Sequence, residues 1–355
     1  MIEILNLYAF FFGCFLLFHI LFHANMDADF ILNLLYLYLI IGSGFLIFKI
    51  SGKHKEDAKK ILTDLMIHVI TPILLSINLL TSKIMLTARF VFKIVALEVF
   101  ALVFIMFGAY LIFKNKILEK PKLGAFIKVA SMPNALLFPL PIVLLMFGSK
   151  YVIVLTIFSA SAVVMRGTLV IFVALKFGDN KNGNAKSSEG IQPRLKEIVI
   201  NLVKFTPLMA IIITLIIMSF GVKIDSISVS TFKFFMSWIS TIGGALVIGA
   251  ILTDIRLKEM DKDKSILVYA IFIRFVFSVC IFLLIEPLIH FDSENTIIKT
   301  ILLLEFGSPP AVFNVIFAVK YKLDEKFTAV CVTIMSLLAL VFIPIYLQFG
   351  MFYFN

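Results

Sequence analysis

Charged residues are scarce in this chain. Asp, Glu, Lys and Arg make up 15 % of its 355 residues, and hydrophobic residues make up 61 %, whereas soluble globular proteins have about 25 % and about 45–50 %. So few charges cannot cover the surface of a water-soluble protein of this size. Because a helix needs about 20 apolar residues to cross a bilayer, the composition provides for about ten or eleven membrane-spanning helices.

The motifs of several enzyme classes are also missing. The sequence contains no HExxH, GxxxxGK[ST], GxGxxG or GxSxG, which removes the usual support for a membrane protease, an ATP-driven pump or a hydrolase. Cys14, Cys280 and Cys331 lie in apolar runs without CxxC spacing, which indicates buried thiols and no metal site. We therefore expect no catalytic residue, no cofactor and no bound metal.

Eleven apolar runs are long enough to cross a membrane, and short polar connections separate them. The runs are continuously apolar, which favours helices over the alternating strands of a membrane barrel. The sequence thus predicts an all-α polytopic membrane protein. The predicted spans are 4–22, 30–48, 61–80, 90–113, 124–147, 151–177, 197–220, 231–252, 265–289, 296–319 and 327–349.

The distribution of Lys and Arg predicts the orientation. The connections after the even-numbered spans contain 21 of these residues, and the opposite side has at most 7. Basic residues concentrate on the cytoplasmic side of membrane proteins, so we expect a cell-membrane protein with a cytoplasmic N-terminus and an external C-terminus. The net charge of +10 is explained by this asymmetry, and no nucleic-acid partner is predicted.

A long polar connection divides the chain. Residues 178–196 are rich in Gly, Asn, Ser and Lys and are predicted to form a flexible cytoplasmic linker. We expect an extra N-terminal helix in 1–29, a first five-helix repeat in 30–177, and a second in 197–355. Because five is odd, the second repeat begins on the opposite side of the membrane, which makes the two repeats inverted.

The fourth span of each five is interrupted by prolines near its middle. They are Pro133, Pro139 and Pro141 in the first half, and Pro309 and Pro310 in the second. Proline has no N–H and clashes with a preceding carbonyl, and the backbone groups that it frees must be buried in protein or face water. One such proline often only kinks a helix, but broken helices at matching positions of two halves indicate a transporter site. We therefore predict that two broken helices cross at mid-membrane.

Each break leaves a half-helix N-terminus, which favours an anion. Asn134 and Asn314 lie within a few residues of the two breaks and could offer amide hydrogen bonds. The predicted substrate-binding residues are Pro133, Asn134, Pro139, Pro141, Ser308, Pro309, Pro310 and Asn314.

Ionisable residues deep in the spans are candidates for charge or proton coupling, because such residues are rare in membranes. Lys128 and Glu305 occupy near-equivalent places in the two broken helices. Lys128 would attract a substrate carboxylate and Glu305 would exchange a proton. The alternatives are a charge pair between them, or a lysine that reaches the helix end. Glu98, Arg166 and Arg274 are the other candidates, with structural ion pairing as the alternative.

Three segments resemble the auxin efflux carrier family. They are 134–141 (NALLFPLP), 309–324 (PPAVFNVIFAVKYKLD) and 53–75 (KHKEDAKKILTDLMIHVITPILL), and Arg274 matches an arginine frequent in the eighth helix of that family. The resemblance implies a ten-helix core with an inverted five-plus-five repeat, a panel of helices 1, 2, 6 and 7, and a crossover of helices 4 and 9. It further implies transport of small organic anions, such as auxin in plants and dicarboxylates in bacteria.

The sequence therefore predicts a secondary transporter of a small organic anion that works by alternating access around the crossover. A proton gradient, or the anion gradient and membrane potential, would drive it. The alternatives are a sodium- or proton-coupled cation exchanger of similar fold, and a non-transporting receptor or scaffold. The expected partners are the organic anion and membrane lipid, and a homodimer is kept as a candidate assembly.

Overall fold

The computed structural model describes residues 28–81, 87–114, 118–178, 199–200, 202–222, 224, 229–253, 264–289 and 296–355. The predicted helix 4–22 and the predicted linker, apart from its first residue, lie outside this part. All regular segments in the described residues are helices, except for one isolated two-residue β-bridge. The prediction of an all-α polytopic membrane protein is confirmed.

The helices follow the predicted order, and we number the ten core elements α1 to α10. The first five are α1 (Ala28–Ile50), α2 (Lys55–Thr81), α3 (Ala88–Phe113), the broken α4 with halves α4a (Lys120–Ser131) and α4b (Pro139–Met146), and α5 with three abutting segments (Val152–Met165, Arg166–Val170 and Ile171–Phe177). The next five are α6 (Thr206–Ser219), α7 (Ser230–Leu252), α8 (Lys264–Ile289), the broken α9 with halves α9a (Thr296–Phe306) and α9b (Phe313–Lys320), and α10 (Glu325–Tyr353). Seven of the described helices are long and apolar enough to cross a membrane unaided; these are α1, α2, α3, α5, α7, α8 and α10.

The start of α6 differs from the prediction of one helix over 197–220. Residues 202–204 are helical, but Phe205 is not, and α6 begins at Thr206. Pro207 occupies the first turn of α6, where its missing N–H costs no helical hydrogen bond. A proline cannot donate to the carbonyl four residues earlier, and its ring clashes with that carbonyl. The helical residues 202–204 therefore do not continue into α6, and the chain is interrupted at Phe205.

The helices pack as two groups. Helices α1, α2, α6 and α7 contact one another and form what we call the panel, and helices α3, α4, α5, α8, α9 and α10 form what we call the bundle. The panel helices α1 and α7 touch at their backbones. A Cβ atom placed on Gly249 would lie 2.3 Å from the carbonyl oxygen of Ile41, so only glycine allows this approach.

The two broken helices lie in the middle of the protein. Every residue from Leu123 to Ser131 in α4a is buried, and so is every residue from Thr300 to Phe306 in α9a. The outer helices instead expose large apolar side chains, such as Phe92, Phe100 and Phe107 of α3, which are 58–71 % exposed. The interrupted backbone is thus shielded from lipid, as a membrane protein requires.

Three of the long helices contain a π-helical turn. These turns are Met66–Ile70 in α2, Arg166–Val170 in α5 and Ile273–Phe277 in α8. Such a turn widens the helix locally and changes the direction of its side chains, and it often marks a functional site. Two of the three turns carry the deep arginines Arg166 and Arg274.

Candidate functional site

The broken helices α4 and α9 cross through a short antiparallel pairing of their interrupted segments. Pro133 and Pro310 form the β-bridge. The backbone N–H of Asn134 donates to the carbonyl of Pro309 at 2.7 Å, and the N–H of Ala311 donates to the carbonyl of Met132 at 3.3 Å. Each break therefore supplies hydrogen-bond partners for the other, which satisfies backbone groups that lipid could not. The crossing predicted from the prolines is present.

Asn314 fastens the second half of α9 to the crossing. It is fully buried, and its Nδ2 donates to the carbonyl of Met132 at 3.3 Å. Its Oδ1 atom has no hydrogen-bond partner in the described part of the chain. Asn314 therefore has a structural role at the crossing through one of its two amide N–H groups, and its substrate-binding role stays a prediction.

The other predicted substrate-binding residues fall into different environments. The hydroxyl of Ser308 donates to the carbonyl of Leu304 at 2.9 Å and so binds its own half-helix. Pro139 is the first residue of α4b, where no N–H is needed, and Pro141 faces the panel next to Gly244. Asn134 is 8 % exposed and directly follows Pro133 of the bridge, where its backbone N–H bonds to Pro309.

Lys128 is buried at the crossing. Its side chain is 1 % exposed, and its Nζ lies 3.4 Å from the centre of the Phe317 ring and 3.4 Å from the carbonyl oxygen of Asn314, to which it donates. Both contacts are with α9b, so the amine reaches across the crossing and does not extend to the end of its own helix. A ring face and a carbonyl oxygen attract an ammonium group without neutralising its charge.

Arg274 binds backbone carbonyls of both broken helices. Its Nη1 donates to the carbonyl of Ser131 at 3.0 Å and lies 3.5 Å from that of Ala130. Its Nη2 donates to the carbonyl of Phe306 at 2.5 Å and lies 3.4 Å from that of Glu305. The guanidinium group thus links the C-terminal ends of α4a and α9a.

Two carboxyl groups are buried beside these bases. Glu305 is fully buried, and neither of its carboxyl oxygens has a hydrogen-bond partner among the described residues; the same holds for Oε2 of Glu98, which is 3 % exposed. Glu98 is close enough to Arg166 and Glu305 for charge–charge interaction. Arg166 itself donates from Nε to the carbonyl of Ala162 at 3.2 Å and lies over the Phe313 ring at 5.3 Å.

The buried charges have opposite signs at equivalent positions of the two halves. Glu98 and Arg274 are each ten residues after the first residue of a 26-residue helix, in α3 and α8. Lys128 and Glu305 each lie five residues before the proline of the β-bridge. Within this set of four residues, each half contributes one acid and one base.

Several residues of the site could not be found by sequence reasoning. Phe317 is one of 39 phenylalanines, so nothing marks it as the ring beneath Lys128. Ser159 of α5 donates to the carbonyl of Ala135 at 2.7 Å and supports the segment between α4a and α4b. Ser278 had a usable signal, because it lies one helical turn after Arg274, and its hydroxyl donates to the carbonyl of Phe306 at 2.8 Å.

The chain is similar to known membrane transporters over most of its length. The family described as "Membrane transport protein" matches residues 29–347. A protein described as an uncharacterized transporter, from Methanocaldococcus jannaschii, is 25 % identical over 303 residues, which cover 84 % of this chain and 92 % of that protein. The family match includes all the helices from which the crossing is built.

Proposed function

Since the chain belongs to the membrane transport protein family, whose match covers residues 29–347, we propose that it carries a small organic anion across the membrane. The match confirms the resemblance to auxin efflux carriers seen in the sequence. It also establishes a multi-pass membrane transporter. The substrate class, the mechanism and the orientation are the proposal, and the crossing of α4 and α9 supports them.

The charge balance at the crossing is the observation that carries the proposal. The ionisable side chains near the crossing comprise three bases, the buried Lys128 and Arg274 and the partly buried Arg166, and two buried acids, Glu98 and Glu305. The C-terminal ends of α4a and α9a add about half a negative charge each, and the N-terminal ends of α4b and α9b add about half a positive charge each. The sum is about one positive charge, which favours an anion over a cation.

Lys128 and Asn134 are the proposed anion-binding residues. The ring and carbonyl contacts of Lys128 do not cancel the charge of its ammonium form. Asn134 directly follows Pro133 of the bridge, and its N–H bonds to the carbonyl of Pro309. We assign Glu305 to proton coupling. A fully buried carboxyl group that has no hydrogen-bond partner among the described residues is suited to take up a proton in one conformation and release it in another.

The division into panel and bundle supports alternating access. The panel meets the bundle mainly where α7 packs on α4b, and at that contact Gly244 leaves room for Pro141. Rocking of the panel against the bundle would expose the crossing first to one side and then to the other. Two inverted five-helix repeats, 30–177 and 197–355, would give the two conformations similar energies.

Uptake into proteoliposomes tests the transport proposal. Labelled mono- and dicarboxylates are offered with and without a pH gradient. Wild-type protein is expected to accumulate a carboxylate, and Asn134→Ala is expected to lower the initial rate by about tenfold, because a hydrogen bond to a charged group contributes about 1.5–3 kcal/mol. Glu305→Gln is expected to keep uptake down the anion gradient and to lose the stimulation by the pH gradient.

The controls separate this proposal from its two rivals. Ser43→Ala removes an exposed hydroxyl of α1 that donates to the carbonyl of Leu39 in the same helix, and it should leave the rate unchanged. Sodium or proton exchange without carboxylate flux would identify a cation exchanger. Ligand binding without any flux would identify a receptor.

The proposed orientation is tested at the two ends of α4. Glu119 precedes this helix and Lys150 follows it, and both are exposed. The charge distribution predicts that Glu119 is cytoplasmic. In a background without native cysteines, an impermeant thiol reagent added to intact cells should label Lys150→Cys and not Glu119→Cys. The reverse pattern would overturn the orientation.

A further inference from the structure

The C-terminal ends of α4a and α9a converge at one point inside the bundle. The last four carbonyl groups of a helix have no partner in the helix itself, and each helix end carries about half a negative charge. Here the carbonyls of Ser131 and Phe306, the last residues of the two half-helices, are both within reach of one side chain. Two such ends facing each other repel unless a cation lies between them.

Arg274 is that cation, and its shape fits the task. One terminal nitrogen donates to each helix end, at 3.0 Å and 2.5 Å, and the group is fully buried. A guanidinium presents its donors in a rigid planar fork, so it can bind two helix ends at once. Its single positive charge equals the sum of about two half charges.

The neighbours of Arg274 fix it in this place. Ser278, one turn further along α8, donates to the same Phe306 carbonyl at 2.8 Å. The hydroxyl of Tyr346 in α10 donates to the carbonyl of Phe275 at 2.5 Å, which ties the π-helical turn of α8 to the bundle. The arginine is therefore held from its own helix and from α10.

In transporters with discontinuous helices, half-helix C-terminal ends and unwound carbonyls are the groups that coordinate sodium ions. In this chain the guanidinium of Arg274 occupies such a set of carbonyls. We propose that Arg274 is a positioning residue that serves as a built-in cation at the crossing, so that the carrier needs no sodium ion there. This inference rests on the proposed transport function, and it predicts transport that is independent of sodium.

The first test compares cations for the wild-type protein. Initial carboxylate uptake and the thermal unfolding temperature of the purified protein are measured in sodium, potassium and N-methylglucamine chloride. Both quantities are expected to agree within about twofold and about 2 °C across the three salts. A several-fold fall in uptake on removing sodium would overturn the proposal.

The second test removes the guanidinium. Arg274→Met keeps much of the volume and lacks the charge, Arg274→Lys keeps the charge and lacks the fork, and Arg274→Ala leaves a space. We expect the unfolding temperature to fall by about 5–10 °C for Met and Ala and by less for Lys, with uptake at least tenfold lower for Met. Millimolar methylguanidinium should restore much of the loss in Arg274→Ala, and equal choline chloride should not.

The outcomes keep the two proposals apart. An Arg274→Met protein as stable and as active as wild type would show that no cation is needed and would overturn the inference. If no preparation transports a carboxylate but the unfolding temperatures follow the expected order, the transport proposal fails and the role of Arg274 stands. Should Arg274→Ala fail to fold, the lysine variant and the wild-type salt series still decide.

Discussion

The amine of Lys128 is held by a ring and a carbonyl, and neither carries a full negative charge. Such contacts orient the ammonium group and leave it able to attract an anion from the crossing. A carboxylate side chain in contact with Lys128 would instead form a permanent ion pair and compete with a substrate anion for the amine. At the scale of single residues, the difference between a structural lysine and a substrate-attracting lysine is therefore the type of its partner.

Replacement of Lys128 by methionine is expected to lower the initial rate of carboxylate uptake at least tenfold. The apolar chain fits the buried position beside Phe317, so the protein should still fold, but the attraction for the anion is lost. Uptake rates and size-exclusion profiles of the reconstituted protein check both statements.

The matched control for Lys128 is Lys233→Met. Lys233 lies in the first turn of the panel helix α7, and its Nζ donates to the hydroxyl of Thr81 in the panel helix α2 at 3.4 Å. Its replacement should leave the uptake rate within about twofold of wild type. Equal losses in the two variants would argue against a specific role of Lys128.

Sequence reasoning located the residues of the crossing better than it located their partners. The prolines could be recognised in the sequence because a proline interrupts a helix at any interior position. Pro133 and Pro310 do pair at the crossing. Arg274 was predicted as a candidate for charge or proton coupling, with ion pairing as the alternative, and its donors bind backbone carbonyls. Every residue has a backbone carbonyl, so the sequence does not indicate which carbonyls lack a hydrogen bond within their own helix.

At the scale of elements, close approach of helix backbones decides which small residues matter. Helices α1 and α7 are in contact at Gly44 and Gly249, where an added Cβ would lie within 2.9 Å and 2.3 Å of the opposite backbone. Backbone atoms cannot move aside as a flexible side chain can. The packing of the panel therefore depends on glycine at these two positions.

Gly249→Ala is expected to destabilise the protein by about 1–3 kcal/mol, because the new methyl group must push α1 and α7 apart. The control is Gly42→Ala in α1, where nothing lies within 4 Å of the added Cβ. There alanine should be neutral or stabilising by up to about 1 kcal/mol, since it favours the helix. Thermal unfolding in detergent measures both, and a stable Gly249→Ala protein would contradict the packing.

The existence of the elements could be predicted from the sequence more completely than their irregularities. A continuous apolar run that is long enough to span a membrane is stable there as a helix. The ten core helices of the described part are accordingly found near their predicted places. The break at Phe205 and the π-helical turn Arg166–Val170 were missed. A π-helical turn depends on tertiary packing around an otherwise ordinary helical sequence, which leaves no pattern to detect.

At the scale of the whole molecule, the contact between panel and bundle is the surface that alternating access has to break. Gly244 of α7 and Pro141 of α4b meet there, and a Cβ on Gly244 would lie 3.4 Å from the Cβ of Pro141. That distance is close to the range of about 3.5–4.5 Å found in disulfides. The present conformation can therefore be trapped by a covalent bond.

A Pro141→Cys, Gly244→Cys protein without native cysteines is expected to form a disulfide under mild oxidation and to lose carboxylate uptake. Dithiothreitol should restore uptake to the level of the reduced protein. Mobility on non-reducing gels after cleavage in the linker reports the bond, and uptake reports its effect. Each single-cysteine variant is the control, and full transport by the cross-linked protein would exclude rocking at this contact.

The pairing of Pro133 with Pro310 also makes two backbone amides unusual reporters. The N–H groups of Asn134 and Ala311 lie outside any helix, yet each is hydrogen-bonded across the crossing. Their exchange with deuterium can proceed only when the two broken helices separate. If the crossing stays intact while the panel moves, these amides will keep their hydrogen through many transport cycles. Their exchange rate would then measure how often the two broken helices separate.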